Sequence, residues 1–155
     1  MSDDLSVRLR RLETIEAARG LVAEYADTVD GRELGGFSRI FSPDAVLSAG
    51  DTRHEGIDAI VEFFRTRFAS DPTDRRHFVT NVRVVDASPT AATLTSYFLF
   101  TAGTNGESVL GWGRYTDRFA STDGELRFVA KHIAVEFRGP VDATWGGVIS
   151  GVVPR

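Results

Sequence analysis

HFVTNVRVVDASPTAATLTSYFLFTA, His77 to Ala102, holds two runs rich in β-branched and aromatic residues, separated by Ser88, Pro89 and Thr90. Such a pair reads as two strands joined by a tight turn. The pattern continues in ESVLGWGRYTDRFAS (Glu107 to Ser121) and ELRFVAKHIAVEFRG (Glu125 to Gly139), with GTNG and STDG as the intervening turns. Four long strands linked this way predict an antiparallel meander.

Upstream of the meander the period changes. Leu5, Leu9, Leu12, Ile15, Ala18, Val22, Ala26 and Val29 recur at steps of three or four, which predicts a helix with one apolar face. Ser2, Asp3 and Asp4 supply its cap and first-turn charges. Gly20 costs about 1 kcal/mol relative to alanine inside a helix, so the stronger segment is expected after Thr14. Leu34, Phe37, Ile40 and Phe41 predict a short second helix that Ser42-Pro43-Asp44 stops, because proline disfavours helical geometry in the residue before it. Asp44 to Gly56 reads as a small hairpin turning at Gly50-Asp51, and Ile57, Ile60, Val61, Phe64 and Phe68 predict a third helix.

Helices first, then long antiparallel strands, is an α+β order in which the helices cover one face of a curved sheet and leave a pocket. The 155 residues suffice for a single domain, 1–155, that buries roughly two-thirds of its unfolded surface. There is no cysteine, which excludes disulfides and thiolate metal sites. A net charge of −4 and a pI near 5.4 argue against a nucleic-acid or anionic-membrane partner. No apolar stretch approaches the roughly 20 residues needed to span a bilayer, so a cytoplasmic protein is expected. The apolar, glycine-rich tail from Pro140 is expected to fold over a pocket mouth or pair with another subunit.

Some polar residues fall on or beside the apolar faces of these elements. Val22, Ala26 and Asp30 form an i, i+4, i+8 stripe, so Asp30 continues the apolar face of the first helix. It is either a turn residue facing water or a buried carboxylate in need of a partner. His77 opens a strand on which it shares a face with Val79 and Asn81 by alternation, and it is either a rim residue or a pocket base. His132 shares a face with Phe128 and Ala130, while His54 lies among charges before the third helix, where solvent is expected. The three histidines show no metal-ligand spacing, and no G-x-S-x-G or G-x-G-x-x-G motif occurs in strand context. Gly111-Trp112-Gly113 sits within a strand, where glycines let a sheet bend.

The order of elements, together with YADTVDGRELGGFSRIFSPDAVL (Tyr25 to Leu47), EGIDAIVEFF (Glu55 to Phe64), RHFVTNVRV (Arg76 to Val84) and GRYTDRFASTDGELRF (Gly113 to Phe128), resembles the SnoaL-like branch of the nuclear transport factor 2-like superfamily. Polyketide cyclases, ketosteroid isomerase, scytalone dehydratase and lindane dehydrochlorinase belong to it. The resemblance implies a cone-shaped α+β barrel of three N-terminal helices on a mixed, mainly antiparallel sheet. It also implies that Asp30 and His77 match an aspartate–histidine pair in which the carboxylate orients the imidazole and the imidazole removes a proton.

The implied activity is that of a lyase, isomerase or cyclase without a cofactor or metal, acting on a small apolar molecule, polycyclic ones included. Scytalone dehydratase has a further histidine on a middle strand that this chain lacks, so the second acid or oxyanion donor stays open among Tyr25, Asn81, Trp112, Tyr115 and His132. Phe37, Phe41, Phe64, Phe68, Phe98 and Phe100 are available to line the pocket. Because the superfamily also holds transport factors and dioxygenase β subunits, a non-catalytic binding or assembly subunit is the alternative. A homodimer or higher homo-oligomer is expected, through an outer sheet face bearing Val129, Ile133, Val135 and Phe137.

Overall fold

A computed structural model of the chain describes residues 2–71, 73–104 and 107–141. The tail expected to cover the pocket or to pair with a subunit lies, from residue 142 on, outside the described residues. The helices are α1 (Ser2–Asp30), α2 (Leu34–Ile40) and α3 (Ile57–Ser70). The strands are β1 (Phe41–Ala49), β2 (Thr52–Glu55), β3 (Asp74–Ala87), β4 (Ala91–Thr104), β5 (Glu107–Thr122) and β6 (Glu125–Val141). One six-stranded sheet runs in the order β2-β1-β6-β5-β4-β3. The meander β3 to β6 is antiparallel as expected, and β1 joins it in parallel beside β6. The sheet is therefore mixed and mainly antiparallel, and it curves around the three helices without closing.

The helix pattern is sharper in the structure than in the sequence. Leu5, Leu9 and Leu12 are exposed, whereas Thr14, Ala18, Val22, Tyr25 and Ala26 are buried. The buried residues of α1 run from Thr14 onward, and its first three turns carry the apolar period on exposed leucines. Nothing packs close to Gly20, so that glycine has no steric reason in this fold. Helix α2 ends at Ile40, and Ser42-Pro43-Asp44 is already strand β1. In the core, Phe37 stacks on Phe64 with centroids 4.1 Å apart, and Phe128 packs between Phe41 and Phe119 at 4.9 and 4.5 Å.

Three of the register shifts in the sheet bear on which of the expected side chains face the helices. In β3 the register shifts between Thr80 and Arg83, with Asn81 in the left-handed region at φ 52°. Such a bulge inserts a residue and inverts the alternation beyond it. His77 and Val79 thus share their inward direction with Val82 and Val84, and Asn81 is exposed on the bulge. In β6 the pairings Phe119 with Phe128 and Arg118 with Ala130 leave Val129 unmatched, so Phe128 and Lys131 both point inward and His132 points out. A third shift, between Trp112 and Gly113, leaves Glu136 unmatched and turns Phe137 outward after Ile133 and Val135.

The outer face is therefore not the one alternation predicts. Ile133 and Val135 line the inner cavity, and the exposed aromatic row across β3, β5 and β6 is Phe78, Trp112 and Phe137, the last two stacked at 4.2 Å.

Gly111 and Gly113 make room for neighbouring groups rather than only bending the strand. A Cβ at Gly111 would run into the Phe100 ring, and one at Gly113 into the Ala134 carbonyl and the Phe98 ring. Gly113→Ala meets backbone, which cannot move aside as a flexible side chain can. It should cost on the order of 1–3 kcal/mol, the usual range for overpacking, read as a lower midpoint in urea denaturation.

Candidate functional site

Strand β3 starts beside the end of α1, and one carboxylate joins the two. Asp30 Oδ2 accepts the His77 backbone N–H at 2.8 Å, and Oδ1 lies 2.6 Å from His77 Nδ1. An ionised carboxylate only accepts, so Nδ1 carries the hydrogen and Nε2 is left with its lone pair. The side chains of His77 and Asp30 are 9% and 13% exposed. Asp30 thus meets the demand of a carboxylate on an apolar stripe, and it holds both the ring and the strand that carries it.

His77 lines a cavity of about 440 Å³ between the helices and the curved sheet. Its walls are largely apolar and aromatic, including Val29, Phe64, Phe98, Phe100, Tyr115 and Ile133. The imidazole sits 5.7 Å from the Phe100 ring, and Phe98 stacks on Tyr115 at 4.3 Å. Of the other phenylalanines expected here, Phe37 and Phe41 are core beneath the cavity, and Phe68 borders a smaller adjoining hollow.

Tyr25 and Tyr115 both line this cavity, their rings edge to face at 5.8 Å. Burial, followed by the negative charge of Asp117 for Tyr25 and by Tyr25 and Asp117 for Tyr115, pushes both phenols above their ordinary pKa. They stay protonated and can donate hydrogen bonds.

The other three expected binding residues do not reach the cavity. Asn81 is exposed on the β3 bulge, Trp112 lies on the outer face against Phe137, and His132 borders an outer hollow with Arg53 and Arg118. Simple alternation fails for Asn81 and His132 because of the bulges. Trp112 fails because the inward positions of β5 are Gly111, Gly113, Tyr115 and Asp117. His54 is half-buried against the Phe63 ring at 4.5 Å rather than free in solvent.

Beneath the tyrosines lies a pair that the sequence reading missed. Lys131 Nζ is 2.9 and 3.2 Å from the two Asp117 oxygens, with side chains 0% and 1% exposed. The ammonium also stands 3.7 Å from the Tyr115 centroid and 4.0 Å from that of Tyr25. Burial pushes Asp117 up and Lys131 down, each toward its neutral form, and each is opposed by its partner's charge. The aromatic faces add a further attraction to the cation. The signal was present: Tyr115, Asp117 and Phe119 share a strand face, as do Lys131 and Ile133.

Burial holds the His77 imidazole below its ordinary pKa, while the Asp30 hydrogen bond and charge pull the other way and Arg75 and Lys131 add to the depression. The ring is accordingly neutral near pH 7, the form a base requires. A histidine whose folded pKa lies below its unfolded value of about 6.5 binds fewer protons in the folded state. The associated stability is complete above pH 6.5 and is lost as pH falls through that value toward the folded pKa. In an NMR titration His77 should turn over below pH 6.5 in the wild type and lower still in Asp30→Asn, where the largest raising influence is gone. A His77 midpoint above 6.5 would mean that the Asp30 pairing outweighs burial.

The family model described as the SnoaL-like domain matches residues 10–132. No curated protein sequence matches the chain. Among solved structures, the hexachlorocyclohexane dehydrochlorinase LinA-type3 from Novosphingobium barchaimii LL02 superposes with a TM-score of 0.79 at 21% identity, over 96% of this chain and 99% of its own. A second LinA structure gives 0.79 at 21%, over 92% and 95%. A candidate scytalone dehydratase from Novosphingobium aromaticivorans DSM 12444 gives 0.75 at 18%, over 90% and 91%. At these identities the structures establish a shared fold. With the family model spanning most of its length, the chain belongs to the SnoaL-like domain family, an α+β fold of the nuclear transport factor 2-like type.

Proposed function

We propose that the protein is a lyase or isomerase of the proton-transfer kind, acting on a small, largely apolar molecule held in the His77 cavity. The observation that carries this reading is the pairing of Asp30 with His77 Nδ1 at 2.6 Å on the wall of an aromatic cavity. His77 Nε2 takes a proton from an acidic carbon of the substrate. The electron pair left behind forms a new double bond, and a leaving group on the adjacent carbon departs with its own pair. In an isomerisation the proton returns elsewhere on the same framework.

Asp30 keeps the ring in the Nδ1–H tautomer and stabilises the imidazolium that forms. Tyr25 and Tyr115, protonated and on the same cavity, are placed in this scheme to donate hydrogen bonds to an oxygen or leaving group that gains negative charge. The kinship with dehydrochlorinase- and dehydratase-named structures supports the reaction class, and the substrate is not inherited from them. The test is loss of turnover in His77→Gln with ligand binding retained; binding without turnover in the wild type would make the protein a carrier instead.

A further inference from the structure

The proton-transfer scheme leaves the charges at the cavity mouth without a task. Arg67 from α3, Arg75 from β3 and Arg138 from β6 all line the cavity. Arg32 joins Arg67 and Arg75 around the small adjoining hollow. These four guanidiniums face two carboxylates, Asp30 and Asp71, which leaves an excess of two positive charges on a chain of net charge −4.

The two carboxylates are already engaged. Asp30 is taken by His77, and Asp71 is paired with Arg75, with its Oδ2 3.9 Å from Arg138. Arg32 directs its guanidinium to the carbonyls of Phe68, Asp71 and Thr73 at 2.9, 2.6 and 2.8 Å, which fixes the α3–β3 connection. Arg67 stands over the Phe63 ring at 5.6 Å and has no ion-pair partner among the described residues. Burial lowers the Arg75 pKa, Asp71 opposes it, and the charges of Arg67 and Arg138 add to the depression. Cations gathered at the rim of an apolar cavity raise the local concentration of anions, and guanidinium suits the planar, two-oxygen face of a carboxylate.

We propose that the substrate carries a carboxylate at one end of an apolar, ring-sized body, with Arg67 and Arg138 taking the carboxylate and the aromatic cavity taking the body. Arg75 is already committed to Asp71. It lies two residues from His77 on the same strand face, a separation of about 7 Å. Both groups rest on one ring, the guanidinium 5.2 Å and the imidazole 5.7 Å from the Phe100 centroid.

This inference rests on the proposed function only in taking the cavity as the substrate site, and its test needs no turnover. Isothermal titration calorimetry at pH 7.5 with 2-naphthoate and 2-naphthamide, and with the acid and amide of cyclohexane, compares a charged head with a neutral one on the same body. The acid should bind at least tenfold more tightly than its amide, and 0.5 M NaCl should narrow the gap. Arg67→Gln/Arg138→Gln should bind acid and amide alike, and because both side chains are exposed its circular dichroism should match the wild type. His77→Gln should keep the preference, which separates this inference from the proton-transfer reading. Equal affinity for acid and amide, a preference unchanged in the double variant, or no acid bound at millimolar concentration would each overturn it.

Discussion

Lys131→Met lowers folding stability by about 3–5 kcal/mol, the cost of leaving one member of a buried ion pair uncompensated. The Asp117 side chain is 1% exposed, and the Lys131 ammonium lies within hydrogen-bond distance of both its oxygens. Methionine fills nearly the same volume, so the loss comes from charge rather than from a cavity. In a domain of this size that is a drop in melting temperature on the order of 10 °C.

The variant's deficit should also depend on pH in a definite direction. Asp117 already has a raised pKa in the wild type, and losing Lys131 removes the influence that lowers it. The folded variant then binds a proton that the unfolded chain does not, so its stability falls as pH rises through the folded pKa of Asp117. Lys131→Met should be closer to wild type at pH 5 than at pH 8, and Asp117→Asn/Lys131→Met should recover at least half the loss at pH 8. A single variant within about 1 kcal/mol of wild type at pH 8 would mean that the pair is not buried as described.

His77→Gln lowers kcat/KM by roughly 10² to 10⁴, the usual contribution of a positioned base. That range corresponds to about 3–5 kcal/mol of transition-state stabilisation. Glutamine can still hydrogen-bond to Asp30, so the start of β3 keeps an anchor while the base is removed. The loss should fall on kcat, with KM little changed, because the apolar walls that hold the substrate are untouched. Asp30→Asn should lose less, since the imidazole remains but its tautomer and orientation are no longer imposed. A larger loss in Asp30→Asn than in His77→Gln would assign the chemistry to the carboxylate instead.

The parts of this fold that follow from period alone were legible in the sequence. The meander and α3 stand where their patterns predict. Asp30 and His77, which the stripe and alternation left undecided, lie within hydrogen-bond distance of each other. Helix α1 was legible as a helix but not in its contacts, because Leu5, Leu9 and Leu12 repeat the apolar spacing of the buried turns and yet are exposed. Alternation broke down at the bulges. One residue at Asn81, one at Val129 and one at Glu136 each exchange inside for outside in the stretch that follows, and apolar alternation alone does not locate them.

Asn81 and His132 were misplaced for that reason, and Ile133 and Val135 were assigned to an outer surface although they line the cavity. The arginine mouth was hidden for a different reason. Arg67, Arg75 and Arg138 come from three elements far apart in the chain and meet only once the sheet has curved around α3.

The most direct measurement of the central claim is kcat/KM against pH for the wild type and His77→Gln, on one compound that a screen of small carbon acids shows to be turned over. With neutral His77 as the base, the wild-type rate is flat at neutral pH and falls on the acid side with a midpoint below 6.5. In the variant that limb is absent and the rate is at least a hundredfold lower. The same limb and a comparable rate in His77→Gln would contradict the account, as would compounds that bind in the cavity and are never turned over.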